Sequence, residues 1–145
     1  MTDRTQARLY WIATALTTAA FAVGGLVDLR GGDDLTAQLA HLGYPAHLAT
    51  LLGAWKLLGA AAIAAPGLPR LKEWAYAGML FDLTGAAVAH GAAGDPAAKV
   101  VTPLVLLAIA LASWALRPAS RRLGAVRLPT LAPAPATPAT AAQPS

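Results

Sequence analysis

The sequence contains no cysteine. Disulfides, thiol redox chemistry, cysteine-ligated zinc and iron–sulfur clusters are therefore excluded, with no bearing on compartment. Charge is also scarce. Only 12% of the 145 residues are Asp, Glu, Lys or Arg, against about 25% in a soluble domain. With 57% hydrophobic residues and a mean hydropathy of +0.53, too little polar surface remains to cover a globule in water. An integral membrane protein is the class this implies. Catalytic signatures are missing too: no His-Glu-x-x-His, no glycine-rich phosphate loop following a strand, no Gly-x-Ser-x-Gly. The spacing of histidines likewise predicts no metal site.

The charge that is present is basic, net +4 with an isoelectric point near 10.0. The basic residues sit at the ends of apolar segments and line no single helix face, so they read as membrane-flanking charges and not as a nucleic-acid surface. Four apolar segments follow one another, at about 9–27, 46–65, 72–91 and 97–116. Each approaches the ~20 residues a helix needs to cross a bilayer core. Tyr10, Trp11, Trp74, Tyr76 and Trp114 fall near segment ends, where amphipathic aromatics favour the interface. Ala20-Phe21-Ala22 has the small-x-small form of a signal-peptidase site, but the apolar run around it is longer than a signal-peptide core, which favours a retained span. Asp28–Pro45 reads as a polar loop holding a short amphipathic helix over Leu35–Leu42.

The expected fold is all-α: a four-helix transmembrane bundle, up-down-up-down, occupying residues 1–117. Residues 118–145, rich in Pro, Ala and Thr without apolar periodicity, read as a disordered tail. With four spans both termini share a side with the 66–72 turn. That side collects Arg4, Arg8, Arg70, Lys72, Arg117, Arg121, Arg122 and Arg127, against Arg30 and Lys99 on the other. The bias predicts cytoplasmic termini and a multi-pass membrane protein.

Two charges interrupt the apolar segments, Lys56 and Asp82. A charge in mid-membrane is costly and calls for a partner or a function. Lys56 lies ten residues before Pro66, and Asp82 ten residues after Lys72. At 1.5 Å per residue both are about 15 Å from the turn, at equal depth in an antiparallel hairpin. Gly53, Gly59, Gly78 and Gly85 flank them at three- and four-residue spacings that permit close helix approach. Two readings of this pair stand side by side. One is a buried clasp that fixes helix register. The other is a polar pocket in which Lys56 and Asp82 carry protons or anchor a ligand.

His90 lies eight residues beyond Asp82, about 80° round the helix, so the two can share an interior face. A site of Asp82, Lys56 and His90, joined by Asp28 or Tyr44, is the candidate for catalysis or ligand binding. His47 lies about 180° from Lys56 and is not expected to share its face.

Several stretches resemble the DoxX-like family of small four-helix membrane proteins: Gly43-Tyr44-Pro45, LLGAWKLLGA (51–60), Pro66-Gly67-Leu68-Pro69 and LKEWAYAGMLFDLTGAAVAH (71–90). The resemblance covers about residues 9 to 117. It implies a prokaryotic inner-membrane protein, a subunit of a membrane complex or a homo-oligomer. Because some relatives are linked to quinone-dependent oxidation of sulfur compounds, it also implies a quinone as the cofactor to consider. Thiol-based roles do not carry over to a chain without cysteine. Lys56, Glu73, Asp82 and His90 match motif positions, and no catalytic role comes with them. The residues leave three functions open: a membrane subunit, an intramembrane enzyme for a small apolar substrate, and a proton-coupled carrier.

Overall fold

A computed structural model of the protein describes residues 3–124. Most of the expected tail, from residue 125 on, and Arg127 lie outside them. Among the described residues the chain is all-helical: α1 Asp3–Arg30, α2 Asp33–His41, α3 His47–Ala64, α4 Pro69–Ala92 and α5 Ala97–Ala115, with a 3₁₀ turn at Ala119–Arg121. Three of these, α1, α3 and α5, are long and apolar enough to cross a membrane. The 24-residue α4 is less apolar; it carries Asp82 centrally and His90 near its end.

α1 is longer than the apolar run that suggests it. It begins at Asp3 and continues through Asp28 to Arg30, so Asp28 is a helical residue and not the start of a loop. Gly31 and Gly32 then take positive φ, a conformation that glycine adopts without the Cβ penalty, and end the helix. The amphipathic stretch expected at 35–42 forms α2, starting two residues earlier.

The long helices pack as neighbours α1–α3, α3–α4, α4–α5 and α5–α1, with α2 against α3. Lipid tails are as apolar as leucine, so packing contacts and hydrogen bonds, rather than hydrophobic exclusion, must hold such helices together. At Gly25 and Gly53 the backbones of α1 and α3 come into direct contact. A Cβ on Gly53 would stand 2.9 Å from the Gly25 carbonyl oxygen and 3.0 Å from the Asp28 Cβ. Here glycine is required because backbone meets backbone.

The core is a layer of Phe21, Ala60, Ile63, Tyr76, Met79 and Leu83, drawn from α1, α3 and α4, with Leu106 and Leu107 of α5 packed against it. A hydroxyl chain lies beside it. Ser113 hydrogen-bonds both Thr14 and Tyr76 at 2.7 Å, tying α1, α4 and α5. The outer surface is apolar instead of polar: Trp55, Trp74, Phe81 and Val88 are more than 60% exposed. In a helix bundle that distribution suits a hydrocarbon solvent.

At the end of the bundle that carries the Pro66–Pro69 turn, two cations expected as membrane-flanking charges are buried. Lys72 is 1% exposed. Its ammonium donates to the carbonyls of Ala62 at 2.7 Å, Ile63 at 3.0 Å and Ala65. These carbonyls close α3, where the last acceptors have no intrahelical donor, and Ile63 also accepts from Arg121 at 3.2 Å. Arg117 is also buried. It donates to Glu73 at 2.8 Å and stacks over the rings of Tyr76 and Trp114, while the Trp114 indole donates to the same carboxylate at 2.9 Å.

Candidate functional site

Lys56, at the middle of α3, reaches two carboxylates on two different helices. Its Nζ donates to Asp28 Oδ2 of α1 at 2.8 Å and stands 4.0 Å from Asp82 Oδ2 of α4. Equal depth does bring Lys56 and Asp82 together, but as the longer of two ion pairs, and the hydrogen bond belongs to Asp28. The reason lies in the direction of helical side chains, which lean toward the helix N-terminus. Lys56 therefore leans back along α3, passing Gly24, whose absent Cβ would lie 3.8 Å from the lysine Cδ. This course carries the ammonium toward the C-terminal end of α1, where Asp28 stands. Asp82 leans the opposite way along α4.

Among the described residues no hydrogen bond reaches the Asp82 carboxylate; its one charged partner is the ammonium 4.0 Å away. Its side chain is 19% exposed, and Lys56 is 23% exposed. What exposes them is a groove of about 520 Å³ between α3 and α4. Its walls are apolar and aromatic, with Trp55 and Gly59 on one side and Trp74, Gly78 and Phe81 on the other. Lys56 and Asp82 supply its charge. The combination of apolar walls and a few convergent polar groups is the usual make-up of a small-molecule site.

His90 and Tyr44 do not join this site. His90 hydrogen-bonds Asp95 Oδ2 through Nδ1 at 2.7 Å, two turns along α4 from Asp82. His41, at the end of α2, meets the other oxygen of Asp95 at 3.2 Å, and Lys99 lies 3.4 Å from it. The hydrogen bond from His90 is the main cause holding the Asp95 carboxyl down at about 2, with His41 and Lys99 adding to it against desolvation. This is a second cluster, on the α4–α5 turn, that fastens α2 to the bundle. Tyr44 is exposed in the turn between α2 and α3, and His47 is exposed at the start of α3. Among the described residues no group of three or more His, Asp or Glu side chains is arranged to hold a metal ion.

Asp28 and Asp95 are the site residues that spacing alone under-reads. Asp28 had a usable signal. Gly25-x-x-Asp28 and Gly53-x-x-Lys56 carry their charges at the same offset from the two glycines that meet. Asp95 had none beyond being a turn residue.

The DoxX-like family model matches residues 12–113, spanning all four long helices and both carboxylates of the lysine site. The chain belongs to the DoxX-like family. It is a DoxX-like membrane protein, and its apolar helices α1, α3 and α5 are compatible with membrane spans. No curated protein and no solved structure matches it. Lys56, Asp82 and the other residues that line the groove all lie within the matched region of this DoxX-like chain.

Proposed function

We propose that this DoxX-like protein binds a small lipid-soluble molecule in the groove between α3 and α4, its polar end against Lys56 and Asp82. The observation that carries the reading is the groove itself: about 520 Å³ of apolar and aromatic space that reaches both charges. A register clasp has no use for such a space, and a clasp would bring Lys56 and Asp82 closer than 4.0 Å. Family resemblance makes a quinone the ligand to try first, with the protein acting as a redox-associated membrane subunit.

In this reading α1, α3, α4 and α5 all cross the membrane, in alternating directions. Residue contacts support it: Gly25 with Gly53, Gly59 with Met79, Tyr76 with Ser113 and Thr14 with Ser113 each match an antiparallel neighbour. The preponderance of Arg and Lys at the end shared by the N-terminus and the Pro66–Pro69 turn supports cytoplasmic termini, and the family resemblance favours a bacterial inner membrane.

The test is binding of a short-chain benzoquinone to the protein in lipid nanodiscs, read by quenching of tryptophan fluorescence. Trp55 and Trp74 line the groove, so saturable quenching that disappears in Trp55→Phe/Trp74→Phe is the expected result. Gly59→Leu, which fills the groove, should abolish binding. Quenching that never saturates, or that survives Gly59→Leu unchanged, would sink the proposal.

A further inference from the structure

We infer that the α3–α4 groove selects a lipophilic cation, with the Asp82 carboxylate as its counter-charge; this rests on the groove being a ligand site. The argument is one of charge complementarity. The charged groups facing Asp82 are Lys56 of α3 and Asp28 of α1. Two carboxylates share a single ammonium, so with every group ionised the cluster carries one net negative charge.

The division of that ammonium is unequal. Asp28 takes the hydrogen bond at 2.8 Å, whereas Asp82 has an ion-pair distance of 4.0 Å and no hydrogen-bond donor among the described residues. The under-compensated carboxylate is the one that faces the groove. A carboxylate held in apolar surroundings with partial compensation is costly, and a monovalent cation entering beside it removes that cost.

The walls fit the same occupant. Trp55, Trp74 and Phe81 all line the groove, and aromatic faces attract cations most where water is excluded. A hydrated metal ion has no use for apolar walls. An organic cation with aryl or alkyl substituents uses the walls and the charge together. When Asp82 is protonated, the arriving cation displaces the proton to water, which makes the site an exchanger of one positive charge for another. Asp28 acts here as a positioning residue. By holding Lys56 it keeps the ammonium from closing onto Asp82 and occupying the place of the ligand.

The experiment uses the full chain in zwitterionic nanodiscs and two probes of matched size and opposite charge, tetraphenylphosphonium and tetraphenylborate, with the neutral benzoquinone as a third. Tetraphenylphosphonium is expected to bind about tenfold or more tightly than tetraphenylborate after correction for partition into protein-free discs. Asp82→Asn keeps the Lys56–Asp28 pair and should bring the two affinities close together, with the neutral probe little changed. Asp28→Asn frees Lys56 to pair with Asp82 and should also lower the cation preference. That response separates positioning from a merely structural role, because loss of fold would reduce all three probes alike. Equal affinity of the two ions in the wild-type protein overturns the inference, as does a cation preference that persists in Asp82→Asn. If the neutral probe binds and the cation does not, this inference fails alone. If none of the three binds, the ligand-site reading fails with it.

Discussion

Lys56 gives its hydrogen bond to Asp28, 2.8 Å away on α1, although Asp82 on the adjoining helix stands at matching depth. The stability of the bundle should therefore depend more on Asp28 than on Asp82. Lys56→Met leaves Asp28 without its donor and should cost about 1–3 kcal/mol, less than for a fully buried pair because Lys56 is partly exposed. Asp28→Asn should cost more than Asp82→Asn, which is expected to stay within about 1 kcal/mol because its pair is long and has no hydrogen bond. Thermal denaturation in detergent ranks the three variants. A larger loss for Asp82→Asn than for Asp28→Asn contradicts the assignment of the lysine.

Part of this site was readable from residues alone, and the reason it was only part is physical. Apolar run length located the three helices that are apolar enough to span, and the depth of Lys56 and Asp82 followed from the rise per residue. Depth counting places Cα atoms. It says nothing about lean, and a lysine side chain is long enough for lean to decide its partner. The extension of α1 to Arg30 was missed for a related reason. Asp28 ends the apolar run, but a helix continues as long as backbone bonds and neighbours allow, and here it stops at Gly31-Gly32. Lys72 and Arg117 were read as flanking charges because composition cannot show which carbonyls and carboxylates a turn leaves within reach. The Asp95 cluster joins residues from α2, α4 and the α4–α5 turn, a long-range convergence that no local period encodes.

The α1–α3 contact makes its own prediction, through two glycines in different surroundings. A Cβ at Gly53 would stand 2.9 Å from the Gly25 carbonyl oxygen, which cannot rotate away as a side chain does. Gly53→Ala must push α1 and α3 apart and should cost about 1–3 kcal/mol. It also moves Asp28, whose Cβ lies 3.0 Å from the same point, relative to Lys56. A Cβ at Gly78 meets nothing within 4 Å. Gly78→Ala should be neutral or stabilise by up to ~1 kcal/mol through helix propensity. Melting temperatures of the two variants should move in opposite directions or, at the least, differ by several degrees. Equal losses would remove the close-approach argument.

Lys72 acts as a cap for a helix other than its own. Its ammonium meets three carbonyls at the end of α3, across a turn in which Gly67 and Leu68 both hold positive φ. Lys72→Met preserves length and apolar stem but supplies no donor, and the Ala62 and Ala65 carbonyls lose theirs, while Ile63 keeps the one from Arg121. The expected cost is about 2–3 kcal/mol, that of leaving buried acceptors unsatisfied. Lys72→Arg retains charge and donors and should recover part of it. Hydrogen exchange of the amides at the end of α3 provides the readout, and their protection should fall in Lys72→Met while that of α5 holds. A uniform change along the chain would argue against a local cap.

Asp95 predicts acid sensitivity confined to the attachment of α2. Its carboxyl is held at about 2, below the ordinary 3.8, chiefly by the hydrogen bond from His90, with His41 and Lys99 contributing. A depressed carboxylate contributes stability that is fully present above 3.8 and is lost as pH falls through about 2. His41 is the α2 side of that cluster, so α2 should stay docked at neutral pH and come away from the α4–α5 turn as pH drops across that window. Labels placed at Gln38 and Ala98 report the distance directly. Asp95→Asn should show the undocked distance already at neutral pH, because the amide cannot serve both histidines as an anion does. The four long helices, held by contacts that do not include Asp95, should keep their helical circular dichroism throughout. If the label distance is unchanged in Asp95→Asn, or if acid separates the long helices before it frees α2, the cluster does not fasten α2 in the way its geometry implies.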